Sequence, residues 1–267
     1  MKTNDQETPH NSKLSLWLIL MVAVLIVLAA VLVFYSALEQ NKKNIASDSG
    51  KTIRIVEQFI SDDFTLVLQD ANFLSKQVLS TEFNQPGETI SPELIKHRLT
   101  GFGAERKVYQ QIIILDTSGR ELIKVDFAPD SLKQKEVVNH NAKEYFQRAK
   151  SLNSKDVYIG DIMLLRNGSE MIEPFRPFIP VIKPVHDQEG RKKAYLLIMY
   201  NTERLFDLMD KYSQKDSSLF LLSSGDGYWI KAPETKYNFA KEQYTTVGYG
   251  PRFMGNDFWE SYLAAGD

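Results

Sequence analysis

Ile172–Val185 reads IEPFRPFIPVIKPV, with prolines at 174, 177, 180 and 184. The first three recur every third residue, which is the period of a polyproline II helix. The stretch also carries Phe175, Phe178, Ile179, Val181, Ile182 and Val185, far more apolar and β-branched surface than a solvated spacer holds. Beyond it the loop HDQEG (186–190) leads into RKKAYLLIMY (191–200), a second run with a continuous apolar centre. Two apolar runs joined by so short a loop predict a β-hairpin, so the proline run is read as a strand. Pro174, Pro180 and Pro184 share one parity, and in an extended chain their missing N–H donors all face the same neighbour. A regular ladder with residues 194–200 is therefore expected, and a weakened or bulged one on the other side, toward VYIGDIMLL (157–165).

The segments around this hairpin fill in a sheet. VYQQIIILDTSGRELIKVDF (108–127) reads as strand, turn at Thr117, Ser118 and Gly119, and strand. NAKEYFQRAKSL (141–152) reads as a short helix, and RNGSE (166–170) as a turn on Asn167 and Gly168. NTERLFDLMDKY (201–212) reads as a helix capped by Asn201 or Thr202. Upstream, NQPGETISPELI (84–95) gives turn signals and then a helix start with Ser91 as N-cap and Pro92 at the first position. This order predicts an α+β fold with a mostly antiparallel sheet covered by helices. From Ser217 the pattern restarts, since SSLFLLSSGDGYWIKAP (217–233) is again strand, tight turn and strand. Residues 213–267 are expected to be an incomplete second module.

Leu14–Tyr35 is uninterrupted by any charged side chain. At about 1.5 Å rise per residue such a run spans a hydrocarbon core of roughly 30 Å. A cleaved signal peptide is the competing reading, but its apolar region usually runs only about 7–15 residues. A membrane helix over 14–38 is expected, with residues 1–13 as a cytoplasmic tail and the large domain exported. Lys2 and Lys13 before it and Lys42 and Lys43 after it barely bias the orientation. No proline then occurs from Glu39 to Gln85, and Ile53, Val56, Phe59, Ile60, Phe64, Val67, Ala71, Leu74 and Val78 recur mostly in steps of three and four. This is a stalk helix over 39–85, whose apolar stripe lies on the domain's own core or on a second copy.

The chemistry of several function classes is missing from the sequence. A net charge of -2 and no dense basic stripe give no footprint for nucleic acid. With no cysteine there is no disulfide, thiolate nucleophile or thiolate metal site. His10, His97, His140 and His186 have no partner at metal-ligand spacing and are read as surface or turn residues. Asp116, Asp126 and Asp161 lie near strand ends, but their spacing selects no catalytic pair. No cofactor, metal or catalytic residue is expected.

ILDTSGREL (114–122), PVHDQEGRKKAYLLIMYN (184–201) and FLLSSGDGYWIKAPE (220–234) resemble the double Cache, or PDC-like, extracytoplasmic sensor domains of bacterial receptors. Such domains occur on histidine kinases, diguanylate cyclases and chemoreceptors, and the order of elements matches from about Glu39 onward. The resemblance implies a PDC/Cache-like antiparallel sheet with a membrane-distal module at 86–212. It also implies a small-molecule ligand and a signal carried by the stalk helix. Amino-acid-binding members place an Arg-x-Trp-Tyr-x-x-Ala helix over the pocket and an Asp after the last strand. Here Lys143 stands for the Arg, Tyr145 for the Trp, Phe146 for the Tyr, and Asn201 for the Asp. An amide cannot anchor an ammonium as a carboxylate does, which argues against an amino acid held in that manner. Lys143, Tyr145, Phe146, Arg148, Tyr158, Arg176 and Asn201 form the expected ligand-binding set, suited to a small anionic or neutral organic molecule. A homodimer through the stalk, or a membrane-anchored protein-interaction module with no small ligand, is the alternative.

Overall fold

The computed structural model describes residues 10–79, 91–129, 137–216, 219–243 and 248–264. The expected NQPG turn (84–87) and most of the N-terminal tail lie outside them. The chain divides into two units, Met1–Ile55 and Val56–Asp267.

The first unit holds most of helix α1 (His10–Phe73). Within it Met21–Asn44 is long and apolar enough, by length and composition, to cross a membrane. Its 24 residues would measure roughly 36 Å at helical rise.

The second unit is built on one antiparallel sheet. Helix α2 (Pro92–Arg106) starts where Ser91 accepts the Leu94 N–H on its hydroxyl at 3.4 Å, with Pro92 in the first turn. Strands β1 (Tyr109–Leu115) and β2 (Glu121–Asp126) follow, joined by a turn that the Asp116 carboxylate organises by accepting the N–H groups of Ser118 and Arg120. Gly119 sits in this turn at φ +88°, and a Cβ there would come within 2.9 Å of the Phe146 ring, so the turn admits glycine for both reasons. Next come a short helix α3 (Glu144–Ala149) and four two-residue strands, β3 (Tyr158–Ile159), β4 (Met163–Leu164), β5 (Arg166–Asn167) and β6 (Glu170–Met171). β7 (Pro177–His186) and β8 (Lys192–Asn201) are long, and helix α4 (Glu203–Asp216) closes the run. Asn201 caps α4 by accepting the Glu203 N–H at 3.0 Å, while the Thr202 carbonyl receives the first helical bonds.

The strand order is β2-β1-β8-β7-β3, with β4 also on β7. β7 and β8 pair continuously from Phe178↔Asn201 to Val185↔Ala194, whereas the other edge of β7 carries only the fragments β3 and β4. This asymmetry follows the proline parity: on that edge the Pro180 carbonyl accepts from Gly160, and that of Arg176, just before β7, accepts from Leu165, but Pro180 and Pro184 offer no donors there.

The two faces of the sheet have different partners. On one, Ile112, Ile114, Val181, Leu196, Ile198 and Tyr200 pack with Val67, Ala71 and Leu74, so these three residues of the stalk stripe are buried on the chain's own core. Two carboxylates hold it there. Asp63 accepts the Tyr200 hydroxyl at 2.5 Å, and Asp70 accepts the Tyr109 hydroxyl and the Arg106 guanidinium. On the opposite face Ile113, Leu115, Ile182, Tyr195, Leu197 and Met199 pack with α3. The restarted pattern appears as the hairpin β9 (Leu222–Ser223) and β10 (Trp229–Lys231), followed by α5 (Ala240–Gln243) and α6 (Asn256–Ala264).

Candidate functional site

The face of the sheet that α3 covers falls into an apolar half and a polar half. In the apolar half Phe146 is fully buried with its ring 5.0 Å from that of Tyr195, edge to face. Ala149 is buried beside it. Lys143 contributes its backbone carbonyl, which receives the Phe146 and Gln147 N–H groups and starts the helix. Arg148 points outward and pairs with Glu144 one turn back at 3.3 Å, both side chains well solvated. Tyr158 is half-buried at the end of the cluster, paired across β3 and β7 with Ile182. Burial, followed by the charges of Glu144 and Asp161, pushes its phenol up.

Tyr145 is buried and belongs to a hydrogen-bonded chain. Its hydroxyl lies 2.5 Å from His140 Nδ1, and His140 Nε2 lies 3.0 Å from Glu121, which also pairs with Lys124 at 3.2 Å. A carboxylate only accepts, so Nε2 carries a proton, and in the neutral ring Nδ1 accepts from Tyr145. His140 is thus 1 % exposed and ties α3 to β2, a role that no metal-ligand spacing would have flagged. Burial would raise the Glu121 carboxyl, but hydrogen bonds and charge from His140 and Lys124 outweigh it, and the group titrates below its ordinary 4.5. Its contribution to stability is therefore complete above that value and disappears as pH falls through the depressed pKa. Unfolding free energies measured across acidic pH should decline there, and Glu121→Gln should flatten that part of the profile. An unchanged profile would mean that this carboxylate does not link pH to folding.

The polar half lies where β1 begins and β8 ends. Tyr109 pairs with Tyr200 and Gln111 with Met199, so Gln110 is an extra residue in a β-bulge. Gln111 has the parity of Ile113 and Leu115, which places it on the α3 face, and it is fully buried. Its Nε2 donates to Asp126 at 2.6 Å, and Asp126 also accepts the Ala128 N–H at 3.0 Å. Arg176 meets the same carboxylate at 3.4 Å, both side chains only 6 % exposed. Gln110 donates to the Pro177 carbonyl at 2.8 Å and to Asn201 at 3.3 Å. Gln110 Oε1, Gln111 Oε1 and Thr202 Oγ1 are buried and have no hydrogen-bond partner. Met163, Leu165, Ile172 and Phe178 supply apolar neighbours on this face.

The expected residues therefore fall into two groups. Tyr145, Phe146 and Tyr158 surround the apolar half, and Arg176 and Asn201 are linked through Asp126 and the two glutamines at the polar half. Lys143 serves the helix through its backbone, and Arg148 faces solvent. Gln110 and Gln111 are additions that only the structure supplies, although two polar residues opening the run IIIL are a visible irregularity in the sequence.

The sequence matches the family described as bacterial histidine kinase, sensor domain, over residues 73–245. Among solved structures, a domain of a sensory box/GGDEF family protein from Vibrio parahaemolyticus is 18% identical with a TM-score of 0.70, over 83% of this chain and 84% of that one. The extracellular domain of vpHK1S-Z8, assigned as a histidine kinase, is 18% identical with a TM-score of 0.69, over 83% and 80% of the two chains. The ligand-binding domain of the Campylobacter jejuni chemoreceptor Tlp3, in complex with 4-methylisoleucine, is 12% identical with a TM-score of 0.48, over 63% of each chain. At such identities the likeness is one of fold, the helix-flanked antiparallel sheet of PDC/Cache-like domains. No curated protein matches the sequence.

Proposed function

The chain belongs to the family of bacterial histidine kinase sensor domains, and on that premise we propose that it is the extracytoplasmic, ligand-sensing part of a membrane-anchored receptor. The N-terminal apolar stretch anchors it in the cytoplasmic membrane, residues 86–212 form the membrane-distal sensing module, and residues 213–267 belong to a second module. A small organic molecule binds on the α3 face, between the aromatic residues Tyr145, Phe146 and Tyr158 and the polar group of Arg176 and Asn201. Lys143 and Arg148 at the helix form the outer margin.

The observation that carries this reading is the concentration of buried polar side chains on one face of a sheet whose other face grips α1. Along β8, Met199 has the parity of the α3 face, while Tyr200 next to it donates to Asp63 of α1. A ligand that repositions the end of β8 thereby alters the hold on the stalk helix. The shift it can produce is limited by its difference in affinity for the two arrangements.

A thermal-shift screen of the full chain in detergent, against amino acids, organic acids, sugars, amides and nucleobases, tests the proposal. A binding compound raises Tm, and the stabilisation grows with the logarithm of one plus its concentration over its Kd. Its effect should disappear in Phe178→Trp, which fills the α3 face. A hit indifferent to that change would move the site elsewhere, and no hit in any class would favour the alternative of a protein-interaction or dimerisation module. That alternative draws its support from Ile53 and Ile55 on α1, and Phe258 and Leu263 on α6, which are exposed large hydrophobics.

A further inference from the structure

Gln110 and Gln111 each have one end of the carboxamide fixed by chemistry. The Gln111 amino group faces a carboxylate and the Gln110 amino group faces a backbone carbonyl, and both of those partners only accept. The amide orientations are thereby set, and each Oε1 is left as a buried acceptor without a donor. An unsatisfied buried polar atom is uncommon in a folded protein, and two on consecutive residues call for a physical cause. The bulge that brings them together sits beside Asn201, Asp126 and Arg176, within the sensing face assigned above.

We propose that Gln110 and Gln111 form the specificity end of the sensing site, and that their two Oε1 atoms receive N–H or O–H donors from a neutral ligand. This rests on the reading of the α3 face as a ligand site and adds the class of ligand. The sign of charge is decided by the neighbours. Asp126 already has the Arg176 guanidinium against it, so the pair is close to neutral. An ammonium added there would be a buried charge with no counter-ion, and a carboxylate would meet two acceptor oxygens. A neutral amide, alcohol or heteroaromatic N–H satisfies both acceptors and adds no charge. Phe178, Met199 and Ile172 offer its remainder an apolar surface.

Glutamine-labelled full chain in detergent micelles provides the test, with the side-chain carboxamide signals of residues 110 and 111 assigned by Gln110→Met and Gln111→Met. Acetamide, methylammonium and acetate serve as minimal neutral-donor, cationic and anionic probes at matched concentrations. Acetamide is expected to shift both carboxamide signals, with acetate inert and methylammonium weaker. Its apparent affinity should fall about tenfold in Gln111→Met. Inert signals with all three probes, or a larger response to acetate or methylammonium, overturn the proposal. If a compound from the thermal-shift screen stabilises the chain equally in wild type and in both methionine variants, the sensing site stands and this end of it is wrong. If neither the screen nor the probes give any response, both readings fall.

Discussion

Phe146→Ala is expected to destabilise the sensor domain by about 3–5 kcal/mol. The ring is fully buried, stacks edge to face on Tyr195, and fills the space that the absent side chain of Gly119 leaves open. Its removal takes away both the apolar burial and the contact that seats a six-residue helix too short to be stable alone. Domains of this kind have only about 5–15 kcal/mol of total stability, so urea denaturation should show a midpoint displaced by a large fraction of its value. Arg148→Ala on the same helix is the control. Its side chain is 66% exposed and its ion pair with Glu144 is solvated, so its effect should be within about 0.5 kcal/mol. Equal effects of the two changes would mean that α3 is not docked by its aromatic residue.

Asp126→Ala should be comparably damaging, about 3–5 kcal/mol, for an electrostatic reason. The carboxylate is reached by Arg176, Gln111 and the Ala128 N–H, and truncation takes away the counter-charge of a buried guanidinium. The double change Asp126→Ala with Arg176→Met removes the charge as well and should recover most of the loss. Recovery separates the two contributions, because lost hydrogen bonds from Gln111 and Ala128 are common to both variants. A double variant no more stable than the single one would show that the hydrogen bonds, and not the charge, dominate the cost. The outcome bears on function, since this pair sets the neutral character assigned to the ligand site.

How much of this was legible before folding depends on the range of the interactions involved. Ser91-Pro92 at the start of α2, the Asp116–Gly119 turn and the Asn201 cap of α4 are all local hydrogen-bonding patterns, and the sequence discloses them. The proline parity in IEPFRPFIPVIKPV was enough to predict which edge of β7 would keep a regular ladder, because it concerns one chain's own donors. The roles of individual residues around α3 were not legible in that way. Tyr145 and Arg148 lie three positions apart on a short polar helix, and only the sheet behind it decides that the first is buried and the second solvated. His140 likewise reads as a turn residue until β2 brings Glu121 to it.

The sequence by itself determined the anchor-like apolar helix, the α+β order and the strand that carries four prolines in and around it, since each rests on periodicity or on a missing donor within a few residues. Tertiary structure alone decided where the buried polar side chains meet. The bulge at Gln110 exists because β1 pairs with a strand some ninety residues later and slips by one position there. That slip puts two adjacent glutamines beside Asp126, Arg176 and Asn201, and no property of residues 110 and 111 alone could have specified their neighbours.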